Sequence, residues 1–452
     1  MDDSRTGSSR FHGRRADRAP MTWGQQAIWK SIRWLGEGSH YFNIRRTLPV
    51  PPGCTEARVA AALGQLLSRH EALRTHFRQA ANGPEQEVTD EGAFAYTVYD
   101  TSPGTGAETA GRLAQELAGT AFDHDRELPL RCALVLDAGA PAQLALTFSH
   151  LGVDFWAVRE LLADLAALLD DKAGPAPDWQ PLDQAAFETE GAGAARGAAS
   201  LAYWRTTLGR VPPAMFTRPA DDPAPERFVR LRMDSPAVAV AATALADRCR
   251  VSTQTVLLAA TAAVLGSYSG HDTAVLQLIA VNRHDERSRR LIAAMAENAL
   301  FAVDSGTGSF EELVRRTFLV GMNAYRHAQY DPLAMDEVLE EARAASGGEL
   351  DLSCFFNDKR MHDRWPALPA TDGSAEQLRA LTEKTEVSCV GVWERQDATF
   401  FVHTAYEPDT CLLHLMADTR LIPRPEIERL LRSFETLLVE SVAGTVALET
   451  LR

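Results

Sequence analysis

The sequence lacks the patterns that would assign it to several large classes of protein. Its 452 residues contain no apolar run near the eighteen or so residues of a membrane span, so we expect no membrane segment. It has no glycine-rich phosphate-binding loop of the P-loop or G-x-G-x-x-G type. The formal net charge of −15 has the wrong sign for a nucleic-acid partner.

Cysteine is scarce, and the N-terminus carries no export signal. The six cysteines form no C-x-x-C pair and no zinc spacing, which predicts no metal site and free, buried thiols in a reducing cytoplasm. The segment 1–19 is polar and arginine-rich and has no apolar core, so it is not a secretory signal. We predict that it is a disordered lead-in.

What is present is the composition of an ordinary globular protein, with 45% hydrophobic and 24% charged residues. The length is enough for two or three domains. Strand-like and helix-like periods alternate irregularly along the chain, which predicts an α+β fold. A stretch rich in small residues and proline, 191–225, predicts a boundary between a first unit over 20–200 and a second over 201–452.

One segment holds a histidine between a strand and a helix. Leu144, Leu146 and Phe148 alternate with smaller or polar residues, as in a buried strand. Leucines at helical spacing follow from Leu161. His150 lies between them, where an imidazole has room to act as a general base on an amine or alcohol. The alternative is a core histidine bonded to the backbone, with Asp154 as a helix N-cap.

The spacing His-x-x-x-Asp is not specific, because it occurs three times. The other two pairs are His327 with Asp331 and His414 with Asp418. Both lie in text that we read as helical, where this spacing places the two side chains on one exposed face. We therefore expect neither pair to be catalytic.

Several further segments, in order along the chain, match motifs of one known family. They are Thr22-Trp23-Gly24-Gln25-Gln26-Ala27-Ile28-Trp29, Tyr41-Phe42-Asn43-Ile44, Arg69-His70-Glu71-Ala72-Leu73-Arg74-Thr75-His76-Phe77, Phe122-Asp123 to Pro129-Leu130-Arg131, Ser149-His150-Leu151-Gly152-Val153-Asp154-Phe155, Tyr203-Trp204 through Pro212-Pro213, Tyr268-Ser269-Gly270-His271-Asp272 and Asn282-Arg283. Together they resemble a condensation domain of non-ribosomal peptide synthetases, in the chloramphenicol acetyltransferase-like superfamily. The resemblance covers about 20–442.

The resemblance implies a fold of two acyltransferase-like lobes that form a V-shaped pseudo-dimer. Tunnels would bring substrates on the phosphopantetheine arms of acyl or peptidyl carrier proteins, and no cofactor would be bound directly. The acceptor would be a small-molecule or carrier-bound amine. Because the sequence shows no adenylation, carrier or thioesterase segment, we expect a free-standing unit in the cytoplasm.

The resemblance also implies roles for particular residues. His150 would be the base or the group that orients the amine, and Ser149 would orient its neighbours. Asp154 would be structural and would pair with Arg283 across the lobe junction. Further candidates, for lining a tunnel or contacting the substrate, are Phe155, Trp156 and Asn298.

The sequence departs from the family pattern at the histidine motif H-H-x-x-x-D-G. Ser149 replaces the first histidine, and Phe155 replaces the glycine, so that a phenyl group stands where a ligand would approach the backbone. Residues 293–299 occupy the place of a second family motif, V-G-x-F-V-N-T. Of that motif only Asn298 remains recognisable, and Glu297 adds a charge.

Three functions remain open from the sequence. The first is an enzyme that forms an amide bond from a carrier-bound acyl or aminoacyl donor in natural-product biosynthesis. The second is an inactive condensation-like module that recruits carrier proteins or tailoring enzymes. The third is an acyltransferase that uses acyl-CoA and forms an ester or a simple amide.

Overall fold

A computed structural model describes residues 4–217, 219, 225–360, 362–371 and 373–451. The chain divides into two compact units. The first comprises Met1–Gly197 and Val281–Glu297, and the second comprises Ala198–Ala280 and Asn298–Arg452. The sequence prediction set a single boundary at 200/201. It did not anticipate that Val281–Glu297 returns to the first unit.

The first unit is built on two sheets. The larger contains β1 Ser4–His12, β3 Ile44–Pro49, β6 Glu91–Thr101, β7 Leu130–Asp137 and β8 Ala140–Phe148, in the order β1-β6-β7-β8-β3. Of these neighbours, β6 and β7 are parallel and the others antiparallel. The smaller sheet contains β2 Asp17–Pro20, β4 Thr75–Ala80 and β5 Gly83–Val88, in the order β2-β5-β4.

Helices cover these sheets with apolar side chains. They are α1 Trp23–Leu35, α2 Glu56–Arg69, α3 Gly106–Ala118, α4 Phe155–Leu169, α5 Pro181–Thr189 and the start of α6 Gly191–Leu208. The short α9 Glu286–Arg290 also belongs to this unit, but none of its residues is buried. A capping box formed by Thr22 and Gln25 begins α1. Gly24 lies so close to the 281–297 segment that a Cβ there would be 2.4 Å from the Ala294 carbonyl oxygen.

The N-terminus corrects the prediction of a disordered lead-in, because residues 4–12 and 17–20 form β1 and β2. β1 pairs along its whole length with β6. Phe11 is buried in the core of the first unit, and the buried Ser9 hydroxyl donates to the Ala60 carbonyl at 2.5 Å. A strand with only these two inward residues among arginines and serines has too weak an alternation to be recognised from sequence.

The second unit contains one seven-stranded sheet. Its strands are β9 Phe228–Ser235, β10 Thr273–Ala280, β11 Glu297–Asp304, β12 Cys354–Asp358, β13 Glu386–Trp393, β14 Phe400–Tyr406 and β15 Cys411–Asp418. Their order is β11-β10-β12-β14-β15-β9-β13. β10, β12 and β14 run parallel, whereas β15 is antiparallel to both β14 and β9. The α+β fold class predicted from the sequence is therefore confirmed.

The helices of the second unit are α7 Pro236–Cys249, α8 Thr253–Ser269, α10 Phe310–Arg326, α11 Pro332–Ala345, α12 Ala375–Thr382 and α13 Arg424–Ala443. α8 is almost entirely buried, which explains why its sequence is apolar on all sides. In the described part of the chain, no single helix has the length and hydropathy to cross a membrane. The pair α7 and α8, bent by 106°, meets that test only when taken together.

The cysteines are all free, but they are not all buried. Cys132, Cys354 and Cys411 are buried as predicted, and burial raises the pKa of Cys411 to about 12. Cys54 and Cys249 are half-buried. Cys389 is exposed, because it lies on the edge strand β13 next to an irregularity in its pairing with β9.

Candidate active site in the first unit

The candidate site is the turn that joins β8 to α4. The turn closes on itself, because the amides of Gly152 and Val153 both donate to the Ser149 carbonyl, at 3.1 and 3.3 Å. Leu151 and Val153 are fully buried and anchor it in the core. The strand, turn and helix predicted around His150 are all present.

His150 is oriented by a backbone contact and remains partly exposed. Its Nδ1 lies 3.0 Å from the Val153 carbonyl oxygen. A carbonyl can only accept, so Nδ1 carries the hydrogen and Nε2 is the basic nitrogen of the neutral ring. Phe42 and Phe155 meet the ring edge to face, with centroids at 6.2 and 5.9 Å. The imidazole is thus fixed in orientation and tautomer without being sealed in the core.

Ser149, at the place of the family's first histidine, is paired with another histidine. Its hydroxyl oxygen lies 2.7 Å from Nε2 of His124 and accepts the Leu151 amide at 3.2 Å. Because Leu151 supplies a donor to that oxygen, we assign the Ser149 hydroxyl as the donor to His124. Ser149 is 1% exposed, so the pair fixes the first residue of the turn from inside the protein.

His124 is enclosed by aromatic rings. It stacks on Phe122 with centroids 6.0 Å apart, and Trp29 and Phe77 approach its edges at 6.3 Å. Burial in this apolar surrounding lowers the pKa of His124 to about 4. The ring is therefore neutral near neutral pH and able to accept from Ser149. Sequence reasoning missed His124, although it lies inside the Phe122–Arg131 motif, because no local spacing links it to Ser149.

Asp154 ties the turn to the returning segment. It caps α4 by accepting the Ala157 amide at 2.8 Å, and it also accepts the Met295 amide at 3.1 Å. Its two oxygens lie 3.0 and 2.9 Å from Nη2 of Arg283. The N-cap that the sequence offered as an alternative and the ion pair that the resemblance implies are therefore both present.

Arg283 organises the segment that carries it. Its guanidinium also donates to the carbonyls of Ser288, Leu291 and Ala293, at 2.6, 2.6 and 3.0 Å. The expectation that the ion pair crosses a lobe junction is wrong, because Val281–Glu297 and Asp154 belong to the same unit. The pair is internal to the first unit, with the two side chains 0% and 6% exposed.

Phe155 does not bury its ring in the protein, since the residue is 52% exposed. The guanidinium carbon of Arg46 lies 5.5 Å from the centroid of this ring. Burial, with help from Arg45, lowers the pKa of Arg46. Arg46 therefore lies over the phenyl group that contacts His150, and sequence reasoning did not single out Arg46.

The remaining tunnel candidates lie in different surroundings. The Trp156 indole donates to the Arg289 carbonyl at 3.0 Å, and Arg159 lies over its ring at 4.1 Å. Asn298 belongs to the second unit, at the start of β11, where its carbonyl accepts the Tyr330 hydroxyl at 3.0 Å. Their role as lining residues stays a prediction.

The other two His-x-x-x-Asp pairs have structural surroundings, but they are not helical pairs. His327 ends α10 and stacks on Tyr203 with centroids 4.7 Å apart, while Asp331 caps α11. His414 and Asp418 lie on the strand β15, which corrects the helix expected there. Among the described residues, no group of three or more histidine, cysteine or acidic side chains is arranged to hold a metal ion.

Comparison with known proteins agrees with this architecture. A family model described as "Condensation domain" matches residues 15–445. The chain is similar to the probable non-canonical nonribosomal peptide synthetase CymA of Salinispora arenicola, with 30% identity over 68% of this chain and 4% of that protein. It is 27% identical to the isonitrile lipopeptide synthase of Mycobacterium tuberculosis, over 76% of this chain and 14% of that protein. The chain therefore spans a small part of these relatives.

Solved structures show the same fold. SgcC5 of Streptomyces globisporus superimposes with a TM-score of 0.67 at 20% identity, covering 94% of this chain and 99% of that one. The condensation domain of the polyketide synthase MokA gives a TM-score of 0.70 at 16% identity, covering 96% and 99%. The chain thus has the fold of these two proteins. It belongs to the condensation domain family, whose members generally form amide bonds.

Proposed function

We propose that this protein transfers an acyl or aminoacyl group from the phosphopantetheine thioester of a carrier protein to an amine, and that His150 assists the transfer. Membership of the condensation domain family supports the class of reaction. The observation that carries the role of His150 is the hydrogen bond from its Nδ1 to the Val153 carbonyl at 3.0 Å, which leaves Nε2 as the basic nitrogen.

The proposed step is an aminolysis. The amine nitrogen attacks the thioester carbonyl, a C–N bond forms and the C–S bond breaks. The proton lost by the amine passes to Nε2 of His150 and from there to the departing thiolate. An α-amine has a pKa of about 7.7–8.0, and an unperturbed imidazole of about 6.5, so a neutral imidazole is suited to this transfer.

The turn supplies the orientation that such a base needs. Asp154 and Arg283 fix the helix end of the turn, and the Ser149 contact with His124 fixes the strand end. Between these two fixed points the His150 ring has little freedom to rotate away. Correct placement of the reacting groups is itself a large part of catalysis.

The test uses mass spectrometry of a loaded carrier protein with candidate amines. His150→Ala is expected to lower the rate of product formation by about 10²–10⁴, the usual worth of general-base help. The matched control is His327→Ala, which removes a histidine of the same sequence pattern that stacks on Tyr203 in the second unit. It is expected to retain activity.

Two other results would redirect the proposal. Carrier binding without product, indifferent to His150→Ala, would favour the recruitment module. Transfer from free acyl-CoA without any carrier would favour the acyl-CoA-dependent acyltransferase. Equal product formation by His150→Ala and the unaltered protein would refute the role of His150.

A further inference from the structure

The edge strand of the larger sheet in the first unit carries an arginine at an inward position. β3 is the last strand of that sheet and pairs with β8. Side chains alternate along a strand, so Ile44, Arg46 and Leu48 share one face. Ile44 belongs to the apolar core of the unit and Leu48 packs against it, whereas Arg46 lies between them, opposite the buried Leu146. A charge thus stands in a row of apolar side chains.

The guanidinium of Arg46 reaches the start of α4, next to the candidate site. Its carbon lies 5.5 Å from the centroid of the Phe155 ring, and that ring meets the His150 imidazole at 5.9 Å. Phe155 is 52% exposed, and Arg46 and His150 are each partly exposed. β3, the turn that carries His150 and α4 all belong to the first unit. One solvent-accessible phenyl ring therefore separates this cation from the imidazole.

Arg46 has no anionic partner among the residues that the structure describes. Its one hydrogen bond there runs from Nη1 to the Arg45 carbonyl at 2.7 Å. Burial and then the charge of Arg45 lower the pKa of Arg46, and no described carboxylate opposes them. Asp154, which precedes Phe155, has its oxygens engaged by Arg283 and two backbone amides. A partly buried charge without a partner is costly, and a bound anion removes part of that cost.

The nitrogens of Arg46 that make no hydrogen bond to a described residue are the pair suited to a carboxylate. Nε and Nη2 of a guanidinium point the same way and bind the two oxygens of one carboxylate side by side. Arg69 uses this pair for Asp164, at 2.8 and 3.1 Å. Arg379 uses it for Glu440. Arg46 therefore has the donors of a bidentate carboxylate site, but no described carboxylate of the protein binds them.

The place of Arg46 relative to the reacting groups favours a carboxylate over a phosphate. In the reaction proposed above, the thioester carbonyl is attacked beside His150. The phosphate of a phosphopantetheine arm lies at the other end of the arm from the thioester, whereas Arg46 is one phenyl ring away from the imidazole. A carrier-bound aminoacyl group has its carboxyl group in the thioester itself. The simplest free carboxylate in this reaction is that of an acceptor amino acid not attached to a carrier.

We propose that Arg46 binds the carboxylate of the acceptor, an amino acid that is free rather than carrier-bound, and that the apolar side chain of this acceptor packs on Phe155. The inference rests on the proposed function and deepens it by choosing a small-molecule acceptor. The other role open to an inward charge on an edge strand is to prevent edge-to-edge pairing with another chain. That role needs no carboxylate, so the test compares amino acids with their amides.

The test measures binding to the full protein by isothermal titration calorimetry, without any acyl donor. The probes are L-phenylalanine, L-leucine and L-tryptophan, each beside its α-carboxamide, which keeps the amine and the side chain but not the negative charge. We expect at least one acid to bind saturably and about tenfold or more tighter than its amide, the worth of a hydrogen bond to a charged group. Arg46→Gln is expected to abolish this preference by weakening binding of the acid. Arg45→Gln removes the exposed arginine on the other face of β3 and, as the control, keeps the preference.

The outcomes keep this inference apart from the role of His150. A preference for the acid that depends on Arg46 supports the carboxylate site even where no loaded carrier yields product, a result that counts against the proposed function alone. Product formed as fast from the amides as from the acids overturns the inference and leaves the role of His150 standing.

The unaltered protein alone is enough to refute the carboxylate site. Equal binding of acid and amide, or no saturable binding of any acid, overturns it. An equal loss in Arg46→Gln and Arg45→Gln also overturns it, as does binding of phosphopantetheine, in place of the amino acids, that depends on Arg46. If Arg46→Gln does not fold, Arg46→Lys replaces it; this variant keeps the charge but loses the planar fork, and is expected to lower the preference.

Discussion

The buried ion pair between Asp154 and Arg283 gives the sharpest stability prediction. Asp154→Ala removes three things at once: the cap on the Ala157 amide, the acceptor for the Met295 amide and the partner of Arg283. Breaking a buried pair by removing one partner costs about 3–5 kcal/mol. Because Arg283 keeps three carbonyl acceptors, we take the lower end, about 3 kcal/mol.

The lost cap adds to this value. An N-cap substitution by alanine costs about 1 kcal/mol, so the total for Asp154→Ala is about 4 kcal/mol in free energy of unfolding. Asp331→Ala is the matched control, since Asp331 caps α11 by accepting the Leu333 amide at 2.8 Å. Asp331 has no ion pair with any residue that the structure describes. Its loss therefore reports the cap alone, about 1 kcal/mol.

Urea unfolding followed by circular dichroism measures both variants, and hydrogen exchange at the Ala157 and Met295 amides shows whether the loss is local. A cycle with Arg283→Met isolates the coupling between the two side chains. If Asp154→Ala costs no more than Asp331→Ala, the ion pair contributes nothing beyond a cap, and the reasoning about its burial is wrong.

Three further predictions concern other parts of the molecule. His124 has a pKa of about 4 in the folded protein and about 6.5 in an unfolded chain, so the unfolded chain takes up the proton first as the pH falls. The free energy of unfolding therefore decreases by up to about 3 kcal/mol between these two pH values. His124→Gln is expected to lose less stability across that range, and an identical loss would contradict this prediction. Gly24→Ala is expected to cost about 1–3 kcal/mol, because its Cβ would meet backbone atoms of Ala294 and Met295, whereas Gly38→Ala, in open space, leaves the melting temperature unchanged. A thiol reagent under native conditions is expected to modify Cys389 first; faster reaction of buried Cys132, Cys354 or Cys411 would contradict the burial that we describe.

Local patterns predicted the elements that carry a strong period. The strand that ends at Phe148 and the helix that contains Leu161 were predictable, because one has alternating apolar residues and the other has leucines at helical spacing. The strand β15 was missed. Its residues Cys411–Asp418 are apolar at nearly every position, and such a run does not distinguish strand from helix by period alone.

The candidate site was predictable only where its parts are close in sequence. His150, the preceding strand and the Asp154 cap fall within one short stretch, so their geometry follows from local rules. The partner of Ser149 is 25 residues away and the partner of Asp154 is 129 residues away. The family resemblance indicated Arg283 but gave no sign of His124, because a contact between distant segments depends on the fold and not on spacing.

The replacement of the family's first histidine by Ser149 does not leave a disordered site. An imidazole from another segment contacts this residue, because Nε2 of His124 lies 2.7 Å from the Ser149 hydroxyl oxygen. Asp154, at the other end of the turn, has both oxygens engaged by a cation and two backbone amides. A module that only recruits partners requires a surface and gains nothing from holding one imidazole in one tautomer. These buried contacts hold the turn in the form that the proposed role of His150 requires, and the His150→Ala assay tests whether they serve catalysis.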